Sequence, residues 1–514
     1  MTTMEWVTKS FKYPFFFACL FMVLLVMSSC SIVRSTRSPA PSVKDELPEI
    51  VLAFREDQPS PDLQEVEKEV NRLVSQKLGA QIRLLPIQKD KYYQQIQLMM
   101  LKKQAIDLFV TVNINSPINN SMIKKGYMLP LNQLIRQYAP DLKRSIKPEI
   151  LSILEENGEL YSIPSIRDWA AGYGIIMRKD LLEKYKFQPD EIRTLDDLEE
   201  IFRTIKSKEK GIYPLVPLHN PSIYFGMRRW YDSLGDRLGV LPNDTDSLKI
   251  VNLFDTDQYE EDIRRIHRWY TAGYIPKDAA ISTDNGRELI KAGLGFAYFS
   301  TIKPGVAEQE SRLTGIPMVA IPLTDSVMTS DSIKAFGMSL AAHSRHPDIG
   351  MKLLNLLYSD VSLLNLLNYG IEGKHYIKVT DQTITYPAGK NIRNVGYWFS
   401  NYEVGNQFLT YIWESYKPDI WEQTALFNQE ARQSKALGFS FNADPVHTEM
   451  SAIQAVLNQY QDGLETGTLD PEVTLPEFRA ALRTAGIAKV IKEKQKQLNI
   501  WSDQQSKLKP EVTK

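Results

Sequence analysis

Apolar positions along this chain alternate between the period of a strand and the period of a helix. After Glu49, the run Ile50-Val51-Leu52-Ala53-Phe54 is continuous and short, as in a strand buried on both faces. Leu63, Val66, Val70, Leu73, Val74 and Leu78 then recur at helical spacing, with Ser60 as the expected N-cap, Pro61 at the first helical position and Gly79 as the stop. The pattern repeats: a strand over 81–87, a helix over 92–104 and a strand over 106–111. Strand–helix–strand order with short connections predicts an α/β fold whose sheet is mostly parallel and covered on both faces. Ligands of such sheets sit beyond the carboxyl ends of the strands, which here carry Glu56, Asp57, Asn113 and Asn115.

A second α/β segment begins near Tyr173, where Gly174-Ile175-Ile176-Met177 reads as a strand running into a helix at Lys179. Thr194-Leu195-Asp196-Asp197 reads as a capping box for a helix through Leu198, Ile201, Phe202 and Ile205. Ile263, Ile266 and Trp269 mark another amphipathic helix closed by Gly273, and short strands are expected at 296–299, 319–322 and 336–341. Further helices are predicted at about 348–358, 406–422, 445–464 and 475–484. Two lobes follow, with no internal repeat.

The first residues follow neither period. Lys9 and Lys12 precede the uncharged run Phe15–Met27, which is shorter than the ~18 residues a membrane-spanning helix requires. Ser28-Ser29-Cys30 after it resembles a bacterial lipobox, which predicts a signal peptide over 1–29 and a lipid on Cys30. The alternative is an uncleaved N-terminal anchor helix. Residues 30–47 are rich in Ser, Pro and charge, as in a flexible tether. Cys19 and Cys30 are the only cysteines, so no disulfide can form once the signal is removed. A formal net charge of −1 gives no reason to expect nucleic acid as a partner.

Four further segments occur in a particular order: Asn157-Gly158-Glu159-Leu160-Tyr161-Ser162-Ile163-Pro164, Arg178-Lys179-Asp180-Leu181-Leu182, Lys291-Ala292-Gly293-Leu294-Gly295-Phe296-Ala297, and Ser344-Arg345-His346-Pro347. Together they resemble the extracellular solute-binding proteins of ABC importers, of the maltodextrin-binding type. The segments 368–376 and 437–501 are similar to the LipO-like lipoprotein branch of Gram-positive bacteria, the latter to its C-terminal domain of unknown function.

The resemblance implies a two-lobed clamp of the type II periplasmic-binding-protein kind, with a helical C-terminal region and discontinuous lobes. The N-terminal lobe is expected over 48–165 plus 338–385 and the C-terminal lobe over 166–337 plus 386–514, with crossovers near 165–168 and 337–341. It further implies a monomer, lipid-anchored on the extracytoplasmic face of the cell membrane, that captures an oligosaccharide for an importer's permease. By position Asp168 matches a ligand-contacting carboxylate of that family and Tyr224 a stacking aromatic. The remaining expected ligand contacts are Asn113, Asn115, Arg167, Trp169, Trp230, Tyr298, Ser300, Trp398 and Tyr402, because sugars need flat apolar faces beside convergent polar groups. Trp413 and Trp421 divide evenly between core and site, whereas Trp269 is expected in a core.

Other chemistries find little support. The six histidines include no His-x-x-x-His pair, and no oxygen-rich loop has the glycine and distant glutamate of an EF loop, so no metal or cofactor is expected. No nucleophile elbow or phosphate loop is present. An exported glycosidase remains an alternative, since two facing carboxylates leave no dependable sequence signature. A sensory or adaptor lipoprotein built on the same clamp is another.

Overall fold

The strand Glu49–Glu56 (β1) lies between Gln81–Gln88 (β2) and Leu108–Val112 (β3), parallel to both. The computed structural model describes residues 47–508 apart from 115, 219–221, 228, 229 and 244. The expected signal peptide, Cys30, the tether as far as Glu46, and Asn115 lie outside the described residues.

The helix Leu63–Leu78 (α1) buries Val66, Val70 and Val74 along one stripe, and Gly79 ends it at φ 62°, donating its N–H to the Ser75 carbonyl. Burial on this scale is worth roughly 1.5–3 kcal/mol per valine. Ser60 is not its N-cap. The helix starts after Asp62, and Ser60 Oγ is instead engaged with the backbone of Trp398, accepting its N–H at 3.2 Å. Asp107, at the entry to β3, accepts the Val51 N–H at 2.8 Å, which explains a carboxylate in an apolar run.

Phe336–Leu340 joins this sheet antiparallel to β3, and Ile163–Pro164 pairs on its outer side. The second sheet is built around Ala170–Arg178, which pairs antiparallel with Gly295–Ile302 and Met318–Pro322 and also with Val327–Met328. Tyr213–Leu215 runs parallel to Gly295–Ile302. Each sheet has its own apolar core, so the chain forms two lobes. Its first passage between sheets occupies 165–169 and its return 329–335.

The division of the later chain differs from expectation. Tyr397, Phe399 and Val404, expected with the second lobe, pack into the first core. Arg432–Gln433 then pairs with Val327–Met328 in the second sheet, so the chain passes between lobes a third time, through the helix Ile420–Glu430. Periodicity reports that a residue is buried, not in which core. The single helix expected over 406–422 is likewise replaced. Asn406 caps only the turn Gln407–Leu409, and Ile412–Trp413 is drawn into a small sheet beside Thr383–Thr385. Tertiary pairing overrides a weak helical period there.

The helices His447–Glu465, Pro471–Ala485 and Ile487–Leu508 close the second lobe. The last is tied to it by Lys494, which is fully buried and donates to the Asp236 carboxylate and, at 3.1 Å, to the Gly239 carbonyl. No described helix is long and apolar enough to cross a membrane.

Candidate functional site

Three stretches of chain meet where the lobes join. Ile166 donates its N–H to the Gly405 carbonyl and accepts from Gln407 N–H, each at 2.9 Å, so the first crossover is backed by the 405–407 segment. Gly405 needs its positive φ of 69° here, and a Cβ would stand 2.3 Å from the Leu357 carbonyl oxygen. Asn428 locks the same crossover with one side chain. Its Oδ1 accepts the Trp169 and Ala170 N–H groups at 2.8 and 2.9 Å, and its Nδ2 donates to the Arg167 carbonyl at 2.7 Å.

Between the lobes lies a cleft of about 880 Å³. The first lobe contributes Arg55 and Asp57 from the end of β1 and Lys89 after β2. The second contributes Thr301 and Lys303, where Gly295–Ile302 ends, with Arg287 and Arg312 from neighbouring helices. Aromatic groups from the 386–421 segment form the wall, among them Tyr386, Trp398, Tyr402, Trp413 and Trp421.

Arg167 stands at the centre. Its Nε donates to Asp168 Oδ1 at 2.7 Å, and its guanidinium carbon lies 5.4 Å from the Phe336 ring centre and 5.8 Å from that of Tyr402. Burial alone would raise the Asp168 carboxyl, but Arg167 and Lys303, the latter at 2.8 Å, hold it well below the usual range. Asp168 is therefore a fixed anion shared by two cations. Asp168 and Trp169 face a recess of about 210 Å³ that shares Arg167, Thr301 and Lys303 with the main cleft. The Trp169 indole donates to the Ser165 carbonyl at 2.9 Å.

On the aromatic wall, Lys89 Nζ sits 5.6 Å above the Trp398 ring. Tyr386 lies against Trp413 with ring centres 4.3 Å apart and planes at 32°. Trp421 donates to the Thr410 carbonyl at 2.8 Å. Such rings offer flat apolar faces to the cleft.

Of the expected contacts, the structure gathers Arg167, Trp398 and Tyr402 in the main cleft and Asp168 and Trp169 in its recess. It does not bring Tyr224, Trp230, Tyr298, Ser300 or Asn113 to either lining. Tyr224 is 1 % exposed in the second core, edge-on to Tyr259. Trp230 packs against that core and edge-on to Tyr231, which itself borders the recess. Tyr298 is buried and donates to Glu310 Oε2 at 2.5 Å, while Glu310 holds Arg287 through both oxygens. It thus supports a cleft residue from behind. Ser300 lies on the Tyr298 side of its strand, and alternation gives the cleft Thr301 and Lys303 instead. Asn113, at φ 48°, spends its backbone on the turn after β3, accepting from Asn119 Nδ2 and donating to Ala335.

Trp413 and Trp421 are cleft residues, and Trp269 is fully buried. Sequence reasoning missed Arg55, Lys89, Lys303, Arg312 and Asn428. Arg55 and Lys303 each follow the last apolar residues of a strand, which is a readable signal for a lip position. Arg312 and Asn428 lie on helices with no such mark. Among the described residues no group of three or more His, Cys, Asp or Glu side chains is placed to hold a metal ion.

Comparison with known proteins agrees with this architecture. The family model described as bacterial extracellular solute-binding protein matches residues 60–362, and a domain of unknown function, DUF3502, matches 435–503. The chain is similar to a carbohydrate ABC transporter substrate-binding protein of Streptococcus pneumoniae, at 26% identity over 95% of this chain and 97% of that protein. Among solved structures it is similar to the N-glycan transport solute-binding protein of the same organism, at 25% identity and a TM-score of 0.79, covering 88% of this chain and 98% of that one. That protein's complex with Man5GlcNAc superposes with a TM-score of 0.72 at the same identity and coverage.

Proposed function

The chain belongs to the bacterial extracellular solute-binding proteins, and from that premise we propose that it captures an oligosaccharide outside the cytoplasm and passes it to the permease of an ABC importer. The observation that carries the reading is the cleft between the lobes, in which a wall of tryptophan and tyrosine rings faces arginine, lysine and amide groups. Pyranose rings have apolar faces and a rim of hydroxyls, so a site for them pairs flat aromatics with convergent donors and acceptors. A cleft of about 880 Å³ has room for several sugar rings rather than one. The similar carbohydrate and N-glycan transport proteins of S. pneumoniae support the same ligand class.

Capture requires closure and release, with no covalent step. The three passages of chain between the lobes supply hinges, and ligand contacts available only in the closed state would shift the population toward it. The protein acts as a monomer held to the membrane by a lipid on Cys30, with residues 30–47 as its tether.

A thermal-shift screen of the purified protein against maltooligosaccharides, mannose-containing glycans, peptides and polyols tests the ligand class. At least one glycan is expected to raise the unfolding midpoint, and no peptide should. Stabilisation by peptides alone would overturn the sugar assignment, and hydrolysis of any bound glycan would overturn the non-enzymatic reading.

A further inference from the structure

The cleft carries more positive charge than its carboxylates balance. Among the described residues six cationic side chains line it: Arg55, Lys89, Arg167, Arg287, Lys303 and Arg312. At most four carboxylates answer them. Glu403 faces Arg55, Asp57 pairs with Lys89, Glu310 holds Arg287, and Asp168 is divided between Arg167 and Lys303. Arg312 is left with phenols, Tyr386 and Tyr416, and with the Trp413 ring 5.5 Å away. Burial pushes the Tyr386 hydroxyl further above its ordinary range, so it brings no negative charge at neutral pH. The Arg312 Nε is buried and has no hydrogen-bond partner.

A guanidinium whose Nε is shut off from water and whose neighbours are neutral phenols has no carboxylate to offset its desolvation. The cost is sensible where a ligand supplies the anion. Arginine suits that task because its planar fork meets carboxylate or sulfate oxygens through two parallel bonds. Arg312 is also well placed for a long ligand. It borders both the main cleft and a second cavity of about 480 Å³, and shares that border with Tyr386, Ile392 and Trp413; Glu308 and Glu414 line the second cavity, so an anion is received on the main-cleft side.

We propose that the captured oligosaccharide is acidic, and that Arg312 receives the carboxylate or sulfate of one sugar unit beside the Trp413–Tyr386 ring pair. This rests on the oligosaccharide reading above and narrows it. Arg167 and Lys303 share Asp168 and add a second region of excess positive charge along the same cleft. The anionic group and the uncharged rings are thus read by different residues, Arg312 for charge and Trp398 for the ring face.

Calorimetric titration of the purified protein with matched oligosaccharides tests this. The probes are tetragalacturonate and an alginate tetramer for carboxylate, a sulfated chondroitin tetramer for sulfate, and maltotetraose and mannotetraose as neutral counterparts. At least one acidic probe is expected to bind tenfold or more tighter than every neutral one, with affinity falling as salt rises. Arg312→Gln should lose at least tenfold for that probe, Arg312→Lys should recover part of the loss, and both should keep the unfolding midpoint of the ligand-free protein within a few degrees. Preference for a carboxylate over a sulfate probe, or the reverse, identifies the group. Neutral probes binding as tightly as acidic ones, or an acidic probe unaffected by Arg312→Gln, would overturn the proposal while leaving the oligosaccharide reading standing. Binding of peptides and of no sugar would overturn both.

Discussion

Arg55 Nη1 stands 3.1 Å from Glu403 Oε1, yet that oxygen, in a side chain 1 % exposed, accepts no hydrogen bond. The pair has Coulombic contact without the geometry that offsets desolvation. Burial consequently dominates and pushes the Glu403 carboxyl up to about 7, although Arg55 and Lys89 pull it down. A buried acid with this value sits directly behind the cleft lining, next to Tyr402.

The consequence for stability has a definite sign. Between the ordinary glutamate value and about 7 the folded protein binds a proton at Glu403 that the unfolded chain does not, so stability falls as pH rises through that window. Glu403→Gln mimics the protonated form. Its unfolding free energy is expected to vary less between pH 5 and pH 8 than that of the parent, by on the order of 3 kcal/mol at most. Denaturant titrations at the two pH values measure this, and parallel slopes for parent and variant would refute it.

The aromatic assignments separate cleanly by mutation. Trp398→Ala removes a ring face from the cleft and should weaken glycan binding about tenfold or more, equivalent to ~1.4 kcal/mol. Tyr224→Phe should leave affinity within twofold, because Tyr224 lies in the second core and its hydroxyl has no hydrogen-bond partner. Titration of both variants with the glycan found by the thermal-shift screen decides it. Equal losses would return Tyr224 to the site.

How far the site could be read from the sequence follows from what each residue signals. β1, α1, β2 and β3 were legible because burial on a sheet and on a helix leaves different periods. The crossover pair Arg167 and Asp168 was legible by resemblance, and its place at the cleft follows from the chain leaving one sheet at Pro164 and entering the other at Ala170. Tyr298 and Ser300 were misplaced by a single residue of strand phase, since alternation turned Thr301 and Lys303 to the cleft. Tyr224 was misplaced for a different reason: a tyrosine in a core and one in a sugar site look alike until the packing of Tyr259 and Arg237 around it is known. The third passage between lobes left no local mark at all, because Tyr397 and Phe399 would be apolar in either core.

Cys30 lies outside the described residues, so its role is tested in cells. Replacing it by alanine should release the protein from the membrane fraction into the medium or periplasm while leaving glycan affinity unchanged, because the cleft is lined by residues from Arg55 onward. Fractionation followed by titration of the released protein reads both outcomes. A Cys30→Ala protein that stayed in the membrane as an integral species would show that residues 15–27 are a retained anchor.

Asn428 offers the sharpest test of the hinge. Its amide satisfies three backbone groups of the first crossover at once, the N–H groups of Trp169 and Ala170 and the carbonyl of Arg167. Leucine has a similar volume and no polar atoms, so Asn428→Leu strands those groups at a cost of about 1–3 kcal/mol each where water cannot reach them. The unfolding midpoint should drop by several degrees. Because the crossover carries Arg167 and Asp168 into the cleft, its loosening should also weaken ligand binding, whereas a purely local packing defect would not. Asn428→Asp keeps the acceptor for both N–H groups but sets a carboxylate oxygen against the Arg167 carbonyl oxygen, so it too should fall below the parent in both measurements. A leucine variant with the parent's midpoint and affinity would show that the amide contributes little, and that the crossover is held by the Ile166 contacts with Gly405 and Gln407.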